Sequence, residues 1–218
     1  MPSNTVENYL KAIYHLSQES DQRVQTNHLA NHLEVKSSTV TDMLKKLEQA
    51  GWVTYEPYKG VSLTPEGNRS AIDVIRKHRL WEVFLVDKLQ FSWSDVHPVA
   101  EQLEHVNSKE LVERLDAFLG YPKWDPHGDP IPDKYGNIEE REQTQLSLLV
   151  KDTSAVMLGV SEDNKSLLEY LEKINLRLGV RIKVLEVLDF DGSMSLEVDN
   201  KFLQISQKAA NKVIVRQL

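Results

Sequence analysis

The sequence predicts a mainly α-helical chain with small β parts: a winged helix-turn-helix over residues 1–64, a helical domain over 65–140 and a small β-barrel over 146–218. Three observations carry this. Apolar residues recur at helical spacing in three short segments that end in two β-type runs around Tyr58-Lys59-Gly60. A long amphipathic pattern opens at Pro65 and two more helical patterns follow it. Beyond residue 146, four β-type runs with turn signals surround one helical pattern, which is how a small barrel reads.

The first helix is expected from about Thr5 to Ser17, with Tyr9, Leu10, Ile13 and Tyr14 on one side. Thr26 or Asn27 can cap a second helix carrying Leu29, Ala30 and Leu33. Ser37 or Ser38 is a natural cap for a third, whose inner face is Val40, Met43, Leu44 and Leu47 and whose end is Gly51. Helix, short turn, helix and hairpin is the order of a DNA-reading head, in which the third helix enters the major groove and the wing reaches the backbone. The outward side of that helix offers Lys36, Ser37, Ser38, Thr39, Thr41, Lys45 and Lys46, and the wing offers Lys59. Small hydroxyls suit close approach to phosphates and base edges, and lysines suit counterion release. Asp42 on the same helix counts against phosphate contact.

The long helix should run from Pro65 to about Lys88, the next from Ser94 or Asp95 to His105, and a third from Asn107 or Ser108 to Leu119. Three amphipathic helices behind a DNA-binding head make a reasonable dimerisation unit, because operators commonly bind two-fold dimers. Tyr121 to Asn137, with four prolines and two glycines, is an ordered turn-rich segment or a linker. The β-type runs of the last segment are AVMLGV, RIKVLEVLDF, SMSLEV and VIVRQL, with LLEYLEKINL as the helix among them.

A net charge of −7 looks wrong for a nucleic-acid binder until it is mapped. Residues 1–64 hold six bases and seven acids, residues 65–145 ten and sixteen, and residues 146–218 ten of each. Phosphate contacts are local, so the near-neutral first third is no obstacle. There is no cysteine, which excludes disulfides and thiolate ligands; any metal must sit on oxygen and nitrogen. No long apolar run and no signal peptide is evident, so a cytoplasmic protein without a membrane partner is expected.

The acidic middle has a pattern. On a helix over 95–105, His97, Glu101, Glu104 and His105 lie at relative positions 0, +4, +7 and +8, within an arc of roughly 100°. His78 and Glu82 repeat the i,i+4 pairing one helix earlier. Without a cation such a cluster suffers like-charge repulsion and desolvation; a divalent ion relieves both. Carboxylate and imidazole donors without sulfur suit manganese, ferrous iron or zinc. The bundle lacks the paired Glu-x-x-His motifs of a di-iron enzyme, because Glu101 is followed at +3 by Glu104. Neither a nucleophile signature nor a glycine-rich phosphate loop is present, so no enzyme is expected.

The segment IRKHRLWEVFLVDKL, the ligand-bearing VHPVAEQLEHV and the motif WDPHGDPIP closely resemble the metal-dependent repressors of the diphtheria-toxin-repressor family, particularly its manganese-responsive branch. The resemblance covers nearly the whole chain and implies a homodimer on double-stranded operator DNA, with an SH3-like C-terminal domain. It implies one metal site at His78, Glu101, Glu104 and His105, with Asn8 from the first helix. A second would use Glu82, Asp125 and His127 with Asp163, and His97 matches a further ligand position. Three features depart from the family pattern. Asn8 stands where manganese-type members carry aspartate, and Lys11 where some carry a second carboxylate, which argues against a two-metal cluster of that design. Asp125 replaces a cysteine, and Glu101 likewise stands where iron-selective members place one; both exchanges favour a harder ion.

The function implied is repression of metal-uptake genes, with operator binding activated by Mn(II). Fe(II) is the alternative, and Zn(II) or Co(II) can substitute in vitro. A winged-helix regulator sensing an organic ligand is the rival reading, and no small organic substrate is expected.

Overall fold

The computed structural model describes residues 2–18, 23–162 and 164–218. Its elements divide into two compact units: residues 1–78 with 103–108 and 132–137, and residues 79–102 with 109–131 and 138–218.

The first unit contains the winged head. Helix α1 (Asn4–Gln18) turns Tyr9, Leu10, Ala12 and Ile13 inward. Helices α2 (Thr26–His32) and α3 (Ser37–Gln49) form the helix-turn-helix, with Glu34 between them at φ 53°. Strands β1 (Val53–Glu56) and β2 (Gly60–Leu63) pair antiparallel as the wing, and Val24 adds a bridge to Val61. Leu10, Ile13, Leu29, Val40, Leu44 and Val61 are fully buried together, so the apolar periodicity of each element ends in one core. The caps differ from expectation. Gln25 and Lys36 precede α2 and α3 and neither side chain caps. Ser37 instead donates through Oγ to Asn27 Oδ1 at 3.0 Å, so the hydroxyl links the two helices rather than closing one end.

Helix α4 (Pro65–Leu89) opens on its proline, and the division between the units falls within it. In the second unit, α5 (His97–Leu103) starts two or three residues later than the sequence suggests, because Ser92 and Asp95 close a turn of their own at 2.7 Å. Leu80 and Val83 of α4 pack on Val112 and Leu115 of α6 (Lys109–Phe118) and on Ile131. The C-terminal part is a six-stranded antiparallel sheet of order β3-β8-β4-β5-β6-β7. Its strands are β3 (Thr144–Gln145), β4 (Ser154–Val160), β5 (Arg181–Val187), β6 (Met194–Val198), β7 (Lys201–Ile205) and β8 (Val213–Gln217). Helix α7 (Lys165–Lys173) buries Leu168 and Leu171 against the sheet core, and Asn164 caps it. A short α8 (Gln207–Ala210) precedes β8. Strand β7 and helix α8 have no counterpart in the expected elements. Among the described residues no helix is long and apolar enough to cross a membrane.

Candidate metal centres

Each unit contains a cluster of buried carboxylates and imidazoles. In the second unit, Glu82 sits on α4, His97 and Glu101 on α5, and Asp125 and His127 on the loop after α6. Glu82, Asp125 and His127 are all but fully buried, and each offers one ligand atom within 4.8 Å of the others. His97 Nδ1 stands 3.2 Å from Glu82 Oε1, and its Nε2 3.5 Å from Glu101 Oε1. His127 Nδ1 faces Glu82 Oε2 at 3.5 Å, while its Nε2 is 3.1 Å from the Trp93 carbonyl oxygen. That carbonyl can only accept, so Nε2 carries the proton and Nδ1 is the nitrogen turned toward the carboxylates. Asp125 Oδ1 accepts from the backbone N–H of His127 and of Asp129, both at 2.9 Å, leaving Oδ2 toward Arg79 Nε at 3.6 Å.

The loop is fixed to the sheet by close backbone approach. A Cβ on Gly128 (φ 91°) would meet the Leu158 carbonyl oxygen at 2.1 Å, and one on Gly159 would meet that of His127 at 2.3 Å. Arg141 donates from Nη2 to the carbonyls of Gly128 (2.6 Å) and Leu158 (3.0 Å) and stacks 3.6 Å over the Trp124 ring.

In the first unit, α1 supplies Glu7 and Lys11, α4 supplies Lys77 and His78, and the segment after α5 supplies Glu104 and His105. His78 Nδ1 is 2.5 Å from Glu104 Oε2, and His105 Nδ1 is 2.6 Å from Glu7 Oε2. Lys11 Nζ lies 2.8 Å from both Glu104 oxygens. Burial opposes ionisation of Glu104, but His78 and Lys11 together hold its carboxyl below the usual range.

The donor chemistry fits divalent cations. In the second unit, burial first, then the charges of Asp129 and Glu82, push the Asp125 carboxyl up to about 8. Hydrogen bonds to Glu101 and Glu82 push His97 up to about 10. The buried Asp125 and the half-exposed His97 thus lie among close carboxylates whose charge a bound cation would neutralise.

Sequence reasoning named most of these residues but grouped some differently. His78, Glu104 and His105 come together, with Glu7 as their partner on α1. Asn8 is exposed and does not join them: one residue along a helix is a turn of about 100°, which carries its side chain away. Glu101 is found with His97 and is half exposed. Asp163 lies outside the described residues. Glu7 is not singled out by the family motif, and its signal in the sequence is a carboxylate on the side of α1 that carries Leu10 and Tyr14.

On α3 and at its start, Lys36, Ser37, Ser38, Thr39, Lys45 and Lys46 are exposed. Thr41 is half-buried and donates back to the Ser37 carbonyl at 3.0 Å. At the wing, Lys59 pairs with Glu56 at 2.8 Å, Arg23 pairs with the same carboxylate at 2.6 Å, and Tyr58 is fully exposed.

A winged head joined to a helical, carboxylate- and histidine-rich unit defines a class: a DNA-binding regulator that holds metal. Residues 1–61 match the iron dependent repressor N-terminal DNA binding domain, residues 64–133 the iron dependent repressor metal binding and dimerisation domain, and residues 144–217 the FeoA domain. The chain is similar to a manganese-dependent transcriptional repressor solved with manganese, at TM-score 0.83 and 35% identity over 98% of this chain and 100% of that one. It is also similar to ScaR with bound Zn²⁺, at TM-score 0.75 and 36% identity over the whole of both chains. The iron-dependent repressor IdeR of Mycobacterium leprae is 36% identical over 129 residues, 59% of this chain and 56% of that protein. The chain belongs to the DtxR/MntR family of metal-dependent transcriptional repressors, which are not enzymes.

Proposed function

We propose that this protein is an Mn(II)-activated repressor that acts as a homodimer on double-stranded operator DNA in the cytoplasm, controlling metal-uptake genes. The observation that carries the choice of ion is the donor set: carboxylates and imidazoles with no sulfur, including Asp125 and Glu82 buried together. Such oxygen-rich sets suit a hard ion. Similarity to a manganese-dependent repressor supports the same choice. Fe(II) is the second reading, favoured by the similarity to IdeR.

In the first unit, Glu7, His78, Glu104 and His105 are the residues that would hold an ion; in the second, Glu82, Asp125 and His127 would, with His97 and Glu101 beside them. A bound ion supplies positive charge and a fixed set of bond directions. Glu7 belongs to the head's own first helix, so joining it to His78, Glu104 and His105 fixes α1 against α4. Lys36, Lys45, Lys46 and Lys59 approach phosphates, and Ser37, Ser38 and Thr39 approach base edges. If the DNA-binding arrangement holds the ion better, DNA in turn tightens ion binding by the same factor.

The test is selection of duplexes from a random pool by chelator-stripped protein, with Mn²⁺, with Fe²⁺ under anaerobic conditions, or with chelator alone. Enrichment of one motif with Mn²⁺ at lower free-ion concentration than with Fe²⁺ is expected. Equal enrichment in chelator would overturn the metal reading and point to an organic signal.

A further inference from the structure

The two clusters are neutralised differently. In the second unit, the Arg79 guanidinium stands 3.6 Å from one oxygen of Asp125, beyond hydrogen-bond reach. In the first unit, a lysine ammonium already touches both oxygens of Glu104 at 2.8 Å, and that carboxylate is 1% exposed. Lys77, itself buried, stands 3.9 Å from Glu7 and 3.5 Å from Asp73. Two buried carboxylates of the cluster thus face two ammonium groups of the same unit.

We propose that Lys11 is a built-in competitor for the ion at the Glu7–His78–Glu104–His105 cluster, an ammonium that neutralises Glu104 in the metal-free protein and sets how much metal is needed to displace it. This rests on the reading that the cluster takes a divalent ion. Nζ lies 2.8 Å from both Glu104 oxygens, so an ion that binds through Glu104 must displace the ammonium or stand beside it. What is left is a cation beside a cation, whose repulsion is large where water is scarce. The same charge opposes a second ion bridging through Glu104, so this cluster takes one ion. Lys11 thus sets the ion concentration at which this cluster fills. The lysine side chain is 15% exposed, so it can swing outward when displaced.

The experiment titrates Mn²⁺ alone into chelator-stripped full-length protein and counts free ion by electron paramagnetic resonance. A His127→Ala background silences the second set, and Glu104→Gln identifies the first. Lys11→Met should tighten Glu104-dependent binding by about tenfold or more, since removing one buried like charge shifts such equilibria by at least one decade. Lys11→Arg, which keeps the charge, should bind as the wild type does. A second readout is hydrogen exchange in α1: without metal Lys11→Met exchanges faster than wild type, and saturating Mn²⁺ abolishes the difference. Lys11→Gln repeats both measurements if circular dichroism shows Lys11→Met unfolded. Unchanged affinity in the neutral variants overturns the competitor role, as does an equal change in Lys11→Arg. Absence of any Glu104-dependent binding, in wild type and every variant, overturns the metal reading of the cluster itself.

Discussion

His127 stacks on Trp93, ring centroids 5.9 Å apart and planes 15° from parallel, while its Nε2 donates to the Trp93 carbonyl oxygen at 3.1 Å. One residue therefore sets both the tilt of the imidazole and which nitrogen is left to bind. Trp93 is in turn held by its backbone N–H, which donates to Glu172 Oε1 at 2.9 Å, at the end of α7. Glu172→Ala should weaken Mn²⁺ binding in the second unit about tenfold, in the range typical of groups that orient a ligand. Isothermal titration of the stripped protein checks this; an unchanged affinity would show that Trp93 is positioned by packing alone.

Glu7 and Asn8 make opposite predictions from adjacent positions. Glu7→Gln removes a buried charge beside His105 and should weaken Mn²⁺ binding in the first unit by about tenfold. Asn8→Asp adds a charge at an exposed site and should leave the affinity within about twofold. The reverse pattern would assign α1's contribution to Asn8.

Gly128 has φ 91° and no room for a Cβ beside the Leu158 carbonyl. Gly128→Ala should cost about 2–3 kcal/mol of stability, combining backbone strain with a forced shift of β4. Urea unfolding of the metal-free protein measures it. Loss of Mn²⁺ binding in the second unit should accompany it, because Asp125 and His127 ride on that loop.

Glu56 restrains two cations of the head. Its carboxyl is held below the ordinary range by Lys59 and then by Arg23, so it stays ionised at neutral pH. The pairing is present above the unfolded pKa of a glutamate and is lost only as pH falls through the lowered folded value. Glu56→Gln should therefore strengthen DNA binding and steepen its salt dependence by about one unit for each cation released to a phosphate. Fluorescence anisotropy between 50 and 300 mM salt, on the order of the range where counterion release is resolved, reads the slope. An unaltered slope would mean that neither Arg23 nor Lys59 reaches DNA.

The sequence made legible whatever local periodicity and side-chain chemistry determine. Pro65 marks the start of α4, Val40, Leu44 and Leu47 mark the buried side of α3, and the EQLEH and PHG segments mark the clusters. What tertiary contact decides was not legible. The caps of α2 and α3 fall on Gln25 and Lys36, because Ser37 is drawn to Asn27. Strand β7 is mostly exposed and buries only Ile205, so it shows no clear apolar alternation, and its hairpin turns on Asp199 and Asn200, both at positive φ, instead of on a glycine. The choice of Glu7 over Asn8 depends on the rotation of α1, which a sequence fixes only to within a residue.

The seam where Gly128 meets Gly159, tied by Arg141, changes what the C-terminal sheet is for. A shortened chain ending before β4 would lack the Leu158 and Gly159 backbone on which Asp125 and His127 hang, yet would keep Glu7, His78, Glu104 and His105 intact. Under the proposed metal reading, the sheet would act as a mould for one of the two clusters, and its loss would leave the other standing alone.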